Sequence, residues 1–346
     1  MPLELSHNFR VDPADLPNES VIFGSTAAML EVRSKIDHLC SNDLTVLIQG
    51  ESGTGKEVVA RFLHSRSDRC DAPFVKLNCA AIPANLLECE LFGCENGARG
   101  SVAEHLPGLV EIAGNGTLFL DEIGEMDWNL QGKLLRLLRD GSLPQAGICE
   151  ETVEPVRVIC ATKVDLQRAV QFGAFREDLF YRIDVVRLNL PSLRDRKNDI
   201  PQLCEYFLQK LARQFNRTAP KLNPATLNLL KQWKWPGNLR ELENWIARAI
   251  VFGDDAALGA ELRRQMAATN MFDGRQRRVR PLKEVTRRTT SAATTAIILK
   301  ALRENRWNRR KASEDLNMSY RSLLYRLRQS GLRQRPSSHR RLPPAS

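Results

Sequence analysis

The stretch Gly50-Glu51-Ser52-Gly53-Thr54-Gly55-Lys56-Glu57 decides the fold. It follows the apolar run 45–48 and precedes the helix-prone run 58–63, so its glycines lie between a strand and a helix. Glycines let the backbone curl until several N–H groups point at one phosphate, and the helix N-terminus adds partial positive charge. The pattern predicts a phosphate-binding loop whose Lys56 reaches the outer phosphates. A plain glycine-rich turn is the alternative.

A second nucleotide signal is an apolar strand, 117–120, that ends in two acids, Asp121 and Glu122. Asp121 at the strand tip can hold magnesium directly or through water, and Glu122 can polarise the water that attacks a terminal phosphate. Glu57 stands where a Ser or Thr hydroxyl usually contacts magnesium. With the loop, the two acids predict ATP and Mg²⁺ as cofactors. An ordinary turn with solvated acids is the alternative.

The composition indicates a globular protein of two or three domains. The chain has 346 residues, of which 42% are apolar, and contains no run of about 18 apolar residues. The N-terminus lacks a basic start followed by an apolar stretch, so we expect a cytoplasmic protein without a membrane span. The eight cysteines form no CxxC pair, which favours reduced thiols. A redox or metal role for Cys89 and Cys94 is the alternative.

Charge is concentrated at the C-terminal end. Residues 275–346 contain 20 Lys or Arg and 4 Asp or Glu, whereas the whole chain has 51 and 41. A basic terminal region on a slightly acidic body indicates a polyanionic partner, and nucleic acid fits better than a membrane. A disordered solubilising tail is the alternative.

Apolar runs alternate with helical patterns along the first half of the chain. This alternation predicts an α/β fold, a three-layer sandwich with a parallel sheet, followed by a helical lid. The predicted strands are 45–49, 74–78, 117–120, 156–161 and 185–190. The predicted domains are a short extension (1–20), the α/β subdomain (21–192), the helical subdomain (193–253), a basic linker (254–291), an all-α DNA-binding domain (292–334) and a flexible tail (335–346).

An ordered series of motifs gives the chain a family resemblance. The motifs lie at residues 21–25, 74–80, 90–93, 116–122, 175–182 and 193–196, and in the segment Trp235-Pro236-Gly237-Asn238-Leu239-Arg240-Glu241-Leu242. Over residues 20–252 the chain resembles the AAA+ ATPase module of the sigma-54-dependent transcriptional activators, the bacterial enhancer-binding proteins. Because only about 20 residues precede this module, we expect no N-terminal receiver domain, and control by another protein, by abundance or by a partner homologue.

The resemblance implies roles for individual residues. Asn78 resembles the family's switch, an amide that can hydrogen-bond Glu122 and hold it away from water. Arg176 and Arg182 resemble arginines presented to the nucleotide of a neighbouring subunit. The bland alternatives are a strand-end amide for Asn78 and surface ion pairs with Glu177 or Asp178 for the arginines. The implied nucleotide-binding residues are Gly50, Glu51, Ser52, Gly53, Thr54, Gly55, Lys56, Glu57, Asp121, Thr162 and Arg240.

Arginines that act on the nucleotide of a neighbouring subunit require subunits that assemble into a ring. The resemblance therefore implies a homo-hexamer, or a hetero-oligomer with a homologue, closed by heterologous contacts. Arg240 resembles the phosphate sensor of the helical subdomain, and pairing with Glu241 or Glu243 is its alternative. Trp233 and Trp235 are expected in the core.

The family's sigma-54 contact loop, Gly-Ala-Phe-Thr-Gly-Ala, is altered in this chain. The same slot contains Gly97, Ala98, Arg99, Gly100, Ser101 and Val102. Arg99 and Gly100 remove an apolar anchor and add charge and backbone freedom, which predicts weakened engagement of RNA polymerase with sigma-54. Lys163 replaces the Asn that normally ends the nucleotide-sensing strand, and an ammonium cannot accept a hydrogen bond.

The C-terminal region resembles the Fis-type helix-turn-helix of the same activators. Asn317 takes the turn position usually held by glycine, and Ser319 is a plausible N-cap for the second helix. Double-stranded DNA is the implied partner. The expected DNA contacts are Arg309, Arg310, Lys311, Ser319, Tyr320, Arg321, Ser322 and Arg326. A helical hairpin for self-association is the alternative.

These observations favour an ATP-dependent bacterial transcription regulator that remodels RNA polymerase holoenzyme. The altered loop keeps a second interpretation open, a DNA-bound regulator that acts without sigma-54 remodelling: with another sigma factor, as a repressor or as an oligomerisation switch. A chaperone-like remodeller unconnected with transcription is a third.

Overall fold

The computed structural model describes residues 10–96, 104–140, 155–253 and 258–266. The chain divides into two compact units, Met1–Gln265 and Met266–Ser346, and nearly all described residues belong to the first. The altered loop at 97–102 and the DNA-binding region at 292–334 lie outside the described residues, so their predictions stay predictions.

The strands form a five-stranded sheet and a small hairpin. The sheet has the order β2-β5-β6-β1-β7, and every recorded pair in it is parallel. β3 and β4 pair antiparallel. The strands are Val46–Gln49 (β1), Phe74–Asn78 (β2), Cys94–Asn96 (β3), Glu104–Leu106 (β4), Thr117–Asp121 (β5), Arg157–Thr162 (β6) and Val186–Asn189 (β7). The predicted parallel sheet is therefore confirmed.

Helices cover the sheet and continue into a helical subdomain. Those of the α/β part are Glu19–Phe23 (α1), Ala27–Leu39 (α2), Lys56–Ser65 (α3), Ala84–Phe92 (α4), Leu109–Ala113 (α5), Trp128–Asp140 (α6), Leu166–Gln171 (α7) and Glu177–Ile183 (α8). Those that follow are Ile200–Gln214 (α9), Pro224–Gln232 (α10), Asn238–Phe252 (α11) and residues 258–266 (α12).

Two apolar clusters bury the two faces of the sheet. Alternate residues of one strand enter different clusters: Leu118 and Leu120 pack on one side of β5 and Phe119 on the other, and all three are fully buried. This is the pattern of a parallel sheet covered on both faces. Because all five strands run the same way, their C-terminal ends, which carry Gln49, Asn78, Asp121 and Thr162, lie at one edge.

The helical subdomain, called the lid below, has its own core. Trp235 is fully buried and its indole N–H donates to the Leu230 carbonyl (2.7 Å). Trp233 is also buried, with its N–H donated to Glu241 (2.8 Å). The prediction that both tryptophans are core residues is confirmed.

The ordered chain extends past the predicted end of the lid. Residues 258–266 are helical, and Leu258 and Leu262, one turn apart, are buried. The predicted basic linker at 254–291 does not hold for these residues, because the two leucines give this short segment an apolar face to bury. Within the described residues, no helix has the length and apolar character needed to cross a membrane.

Candidate nucleotide-binding site

The glycine-rich loop leaves β1 and enters α3 through two glycines with positive φ. Gly53 and Gly55 have φ of 78° and 96°, angles that favour glycine. In the described part of the chain, no backbone acceptor is bonded to the N–H groups of Gly53, Gly55 or Lys56. Free donors at a helix N-terminus form an anion site. The loop therefore has the geometry that its sequence predicts.

Lys56 and the acids at the end of β5 face each other. The Lys56 ammonium donates to the Gly50 carbonyl (3.0 Å) and lies 3.8 Å from the Glu122 carboxylate. Burial lowers the pKa of Lys56, while Glu122 and Asp121 oppose that shift. Glu122 adopts φ 54°, an uncommon angle for a residue with a side chain, which is typical of functional positions.

Asp121 is suited to hold a divalent cation. Burial and then the charge of Glu122 raise the pKa of Asp121, and the positive charges of Lys56 and Lys76 oppose that shift only in part. A bound Mg²⁺ would supply further positive charge and neutralise phosphate oxygens. Glu57, in the position usually held by Ser or Thr, is instead bonded to Lys76 and Arg61. Asp121 is thus the residue that fits the metal.

Asn78 is close to the acids but is not bonded to Glu122. Its register partner is Asp121, and its side-chain oxygen accepts from the Ala80 N–H (3.0 Å). Among the described residues, no hydrogen bond joins Asn78 to Glu122, whose carboxylate instead accepts from the Lys163 N–H (3.2 Å). In this conformation Asn78 makes the contacts of a strand-end amide, and its switch role stays a prediction.

The end of β6 contacts the same acids through its backbone. The Thr162 hydroxyl is buried and accepts from the Val164 N–H (3.0 Å). The Lys163 ammonium turns away to pair with Glu125 (3.2 Å). Lys163 therefore bonds Glu122 by its backbone N–H, which any residue except proline could supply.

The lid holds the tip of the glycine-rich loop. Arg194 binds the Glu51 carboxylate with both terminal nitrogens (2.9 and 2.5 Å), and Asn238 donates to Glu51 and to the Ser52 carbonyl (3.2 and 3.0 Å). A Cβ on Gly53 would lie 2.3 Å from the Gly237 carbonyl oxygen. Loop and lid thus approach at backbone distance, which requires glycine at position 53.

Arg240 projects from the start of α11 to the loop. Its guanidinium lies 3.5 Å from the Ser52 hydroxyl, while Glu241 and Glu243 bond other partners, Trp233 and Lys210. The structure therefore does not contain the alternative, an ion pair between Arg240 and Glu241 or Glu243 on the same helix.

One cavity of about 530 Å³ lies between the loop, the sheet edge and the lid. Most of the predicted nucleotide-binding residues line it, whereas Gly50, Glu51 and Thr162 are not among its lining residues. Its polar wall contains residues 52–57, Asn78, Asp121, Glu122 and Arg240, and its apolar wall includes Val11, Leu16, Ile22 and Leu203. A polar end for phosphates and an apolar end for a base suit a nucleotide. We call this the nucleotide cavity.

Arg176 and Arg182 lie elsewhere, on α8 and its start, and neither lines the nucleotide cavity of its own subunit. Arg176 is paired with Asp178 (3.0 and 2.7 Å) and lies over the Trp128 ring (5.4 Å). Arg182 donates to the Leu138 carbonyl (3.0 and 2.6 Å). We call this surface the arginine face. The predicted alternative, a pair with Asp178, is present, and action on a neighbour stays a prediction.

Comparison with protein families assigns three parts of the chain. Residues 22–189 match the sigma-54 interaction domain, residues 194–277 the AAA+ ATPase lid domain, and residues 295–329 the bacterial regulatory protein, Fis family. The regulatory protein AtoC of Escherichia coli is 40% identical over 316 residues, which are 90% of this chain and 68% of AtoC. The chain belongs to the sigma-54-dependent activator family.

Two further proteins are similar over most of this chain, which spans only part of their own lengths. The Nif-specific regulatory protein of Azotobacter vinelandii is 39% identical, over 89% of this chain and 58% of that protein. A crystal structure of NtrX from Brucella abortus in complex with ATP is similar with a TM-score of 0.63 and 33% identity, covering 89% of this chain and 68% of NtrX. The AAA+ fold is thereby established for this chain, and family matches assign its lid and its Fis-type region.

Sequence reasoning missed several contacts in this sigma-54-dependent activator. Arg194 and Asn238 lie inside quoted motifs, yet nothing in their spacing says that they hold Glu51, which is 143 positions before Arg194. Trp128 was also missed, because a tryptophan at the start of a helix gives no signal of an arginine from another helix. Only the packing of distant elements reveals these pairs.

Proposed function

We propose that this chain is a magnesium-dependent ATPase that forms a ring, binds DNA through its C-terminal helix-turn-helix and remodels RNA polymerase that contains sigma-54. The observation that carries the proposal is the convergence of Lys56, Asp121, Glu122 and Arg240 on one cavity. Lys56 and the loop N–H groups bind phosphates, Glu122 orients the attacking water, and Arg240 couples the phosphates to the lid.

The division of labour between the two acids supports hydrolysis rather than binding alone. Asp121, with its raised pKa, gains from a bound cation, which leaves Glu122 free to act on water. Glu122 already lies beside the Lys56 ammonium and the Lys163 N–H, and it lines the nucleotide cavity. These positions match the roles that phosphoryl transfer requires.

A ring supplies what a single subunit lacks. Lys56 and Arg240 line the cavity beside the glycine-rich loop, whereas the arginine face lies outside the cavity. Heterologous contacts would bring Arg176 and Arg182 of one subunit to the nucleotide of the next. Charge on the transferred phosphoryl would then be stabilised from both sides.

The deciding experiment is ATP turnover by the full chain with and without Glu122→Gln. The substitution keeps shape and removes the carboxylate, so we expect turnover to fall about 10²- to 10⁴-fold while ATP binding persists. Glu125→Gln, three residues further on and paired with Lys163, is the matched control and should retain turnover within about threefold. Equal rates for Glu122→Gln and the unmodified chain would remove Glu122 from the reaction.

A second function is favoured by the altered slot at 97–102, namely DNA-bound regulation without sigma-54 remodelling. Arg99 and Gly100 remove the aromatic and hydroxyl tip. Capture of sigma-54 should be measured with a nucleotide transition-state analogue, for the unmodified chain and for the Arg99→Phe/Gly100→Thr double variant. Weak capture that the double variant restores would support this second function, and equal capture would exclude it.

A further inference from the structure

A buried arginine lines the nucleotide cavity at a distance along the wall from the glycine-rich loop. Arg196 comes four residues before α9, is 3% exposed and is one of the residues that line the cavity. Its Nη1 donates to the Ile22 carbonyl over 3.5 Å. Because Ile22 belongs to the apolar wall, this contact places the Arg196 guanidinium at the end of the cavity that suits a base.

The Arg196 guanidinium lacks the partners that usually accompany a buried charge. Its Nε is buried and has no hydrogen-bond partner, and among the described residues no acceptor is bonded to its Nη2. The carboxylate of Asp199, three positions later, accepts instead from the Ser25 N–H and the Thr26 hydroxyl (2.8 and 2.7 Å). Burial lowers the pKa of Arg196, and the charge of Asp199 opposes that shift.

A purely structural role accounts for little of this arrangement. A buried arginine that only joins two elements is normally held by a carboxylate or by several carbonyl groups, because an unpaired charge in a protein interior is costly. The long bond to Ile22 is the single side-chain hydrogen bond of Arg196 recorded within the described part of the chain. The guanidinium therefore has donors available for an acceptor that enters the cavity.

The position of Arg196 favours an acceptor on the base over an acceptor on the phosphates. Residues 52–57 form the polar wall and supply the donors for phosphates. The apolar wall, which includes Ile22 and Leu203, suits the flat face of a purine. The edges of adenine carry ring nitrogens that accept hydrogen bonds. A donor in the apolar wall can therefore reach the edge of a base whose face packs against that wall.

We propose that Arg196 is a specificity-determining residue that donates a hydrogen bond to a ring nitrogen of the adenine base. The inference rests on the proposed function, since it concerns the base of the same nucleotide. The bond satisfies a donor that has no other partner among the described residues. A base without an acceptor at that edge leaves the buried charge unpaired and is rejected for that reason.

The test compares the binding of ATP with that of 1-deaza-, 3-deaza- and 7-deaza-ATP to the purified full chain by titration calorimetry. Each analogue replaces one ring nitrogen by C–H and leaves the phosphates unchanged. We expect one of the three to bind about tenfold or more weakly than ATP, which is the loss expected for a hydrogen bond from a charged donor. Equal affinity for all four nucleotides would overturn the proposal, and this comparison needs no altered protein.

The Arg196→Met variant links that loss to the guanidinium. Methionine keeps an unbranched apolar chain without a donor, so the variant should bind ATP about tenfold more weakly and should no longer distinguish ATP from the sensitive analogue. Lys197→Met removes an exposed positive charge one position later and outside the cavity lining, so this matched control should keep the discrimination. An Arg196→Met protein that still discriminates would overturn the assignment. Circular dichroism verifies that both variants are folded.

Two further ligands separate a base contact from contacts with the rest of the nucleotide. Tripolyphosphate has no base, so its affinity should agree within about twofold between the unmodified chain and Arg196→Met. A loss as large as that for ATP would make Arg196 a phosphate ligand and would overturn the proposal. The proposal would also be overturned by a loss of affinity for 2′-deoxy-ATP that Arg196→Met abolishes, because Arg196 would then bind the ribose.

Binding and turnover together distinguish this inference from the proposed function. A chain that discriminates between bases through Arg196 but does not hydrolyse ATP would contradict only the proposed function. A chain that hydrolyses ATP without any discrimination that depends on Arg196 would contradict only this inference. A folded chain that binds no ATP would contradict both.

Discussion

The nucleotide cavity and the arginine face place their charged groups in opposite environments. Lys56 is 7% exposed, and its pKa is lowered by burial. The Arg176 side chain is 31% exposed, and its pKa is raised by its hydrogen bond with Asp178. A buried cation that lies 3.8 Å from Glu122 gains from a phosphate in direct contact, whereas a partly exposed cation that is already paired needs a partner surface before it can act.

Under the proposed function, this difference means that one subunit can bind nucleotide by itself but needs a neighbour for hydrolysis. In the described structure no backbone acceptor is bonded to the N–H groups of Gly53, Gly55 or Lys56, which leaves them available to a phosphate. The arginine face would exchange Asp178 for a neighbour's nucleotide, and this exchange would place hydrolysis under the control of assembly.

The largest expected effect is at the buried lysine. Lys56→Ala removes the cation that meets the phosphates, so we expect ATP turnover to fall about 10³-fold and ATP binding to weaken, measured by steady-state kinetics and by titration calorimetry. Lys35→Ala, which breaks an exposed pair with Glu31, is the matched control and should change turnover less than about twofold. Near-normal turnover without Lys56 would mean that the cavity is not the site.

The next effect separates the two regions. Arg176→Ala should also lower turnover, by about 10³-fold, while leaving ATP binding nearly unchanged, because the residue lies outside its own cavity. Mixing this variant with Lys56→Ala should restore turnover to roughly a quarter of the unmodified level, since about one interface in four then combines an intact lysine with an intact arginine.

The mixing result decides between action within and between subunits. If the mixture stayed as inactive as its components, Arg176 would serve its own subunit or only the fold. Sedimentation of the mixture, which should contain co-assembled rings, guards against failure to mix.

A smaller effect is expected where lid and loop meet. Arg194→Ala removes the two bonds to Glu51, both on half-exposed side chains, so we expect the KM for ATP to rise about three- to tenfold with little change in kcat. Arg248→Ala, which breaks an equally exposed pair with Glu261 inside the lid, is the control and should change KM less than about twofold. Equal effects of the two would mean that the lid contact does not position the loop.

The smallest effect is expected at Trp128, the ring under Arg176. Trp128→Ala removes the ring under Arg176, and an exposed contact of this kind contributes about 0.5–1 kcal/mol, or roughly a two- to fivefold loss of kcat. Trp128→Phe keeps a ring and should lose less. A loss that Trp128→Phe shares in full would indicate that the tryptophan packs between subunits rather than orienting Arg176.

Much of the cavity was predictable because its chemistry is local in sequence. A few neighbouring residues determine the backbone geometry of its main groups: the glycines at 53 and 55, the lysine at the start of a helix and the acids at the end of a strand. The five strands of the sheet were predicted within a residue at each end for the same reason, since a strand buried on both faces is a short continuous run of apolar residues. The helix at 258–266 was missed because its two leucines make too short a pattern to distinguish from a linker.

The sequence by itself determined the parallel sheet, the phosphate loop, the acids of β5 and the family. Only the tertiary structure decided that Arg194 and Asn238 form hydrogen bonds with Glu51. It also decided that the Asn78 side chain accepts from Ala80 in this conformation. Finally, it placed Arg176 against Trp128 and Asp178. The physical reason is the distance along the sequence between the residues that interact. Backbone angles and apolar periodicity are fixed by neighbours in the chain, whereas the partner of an exposed charge depends on which distant element packs beside it.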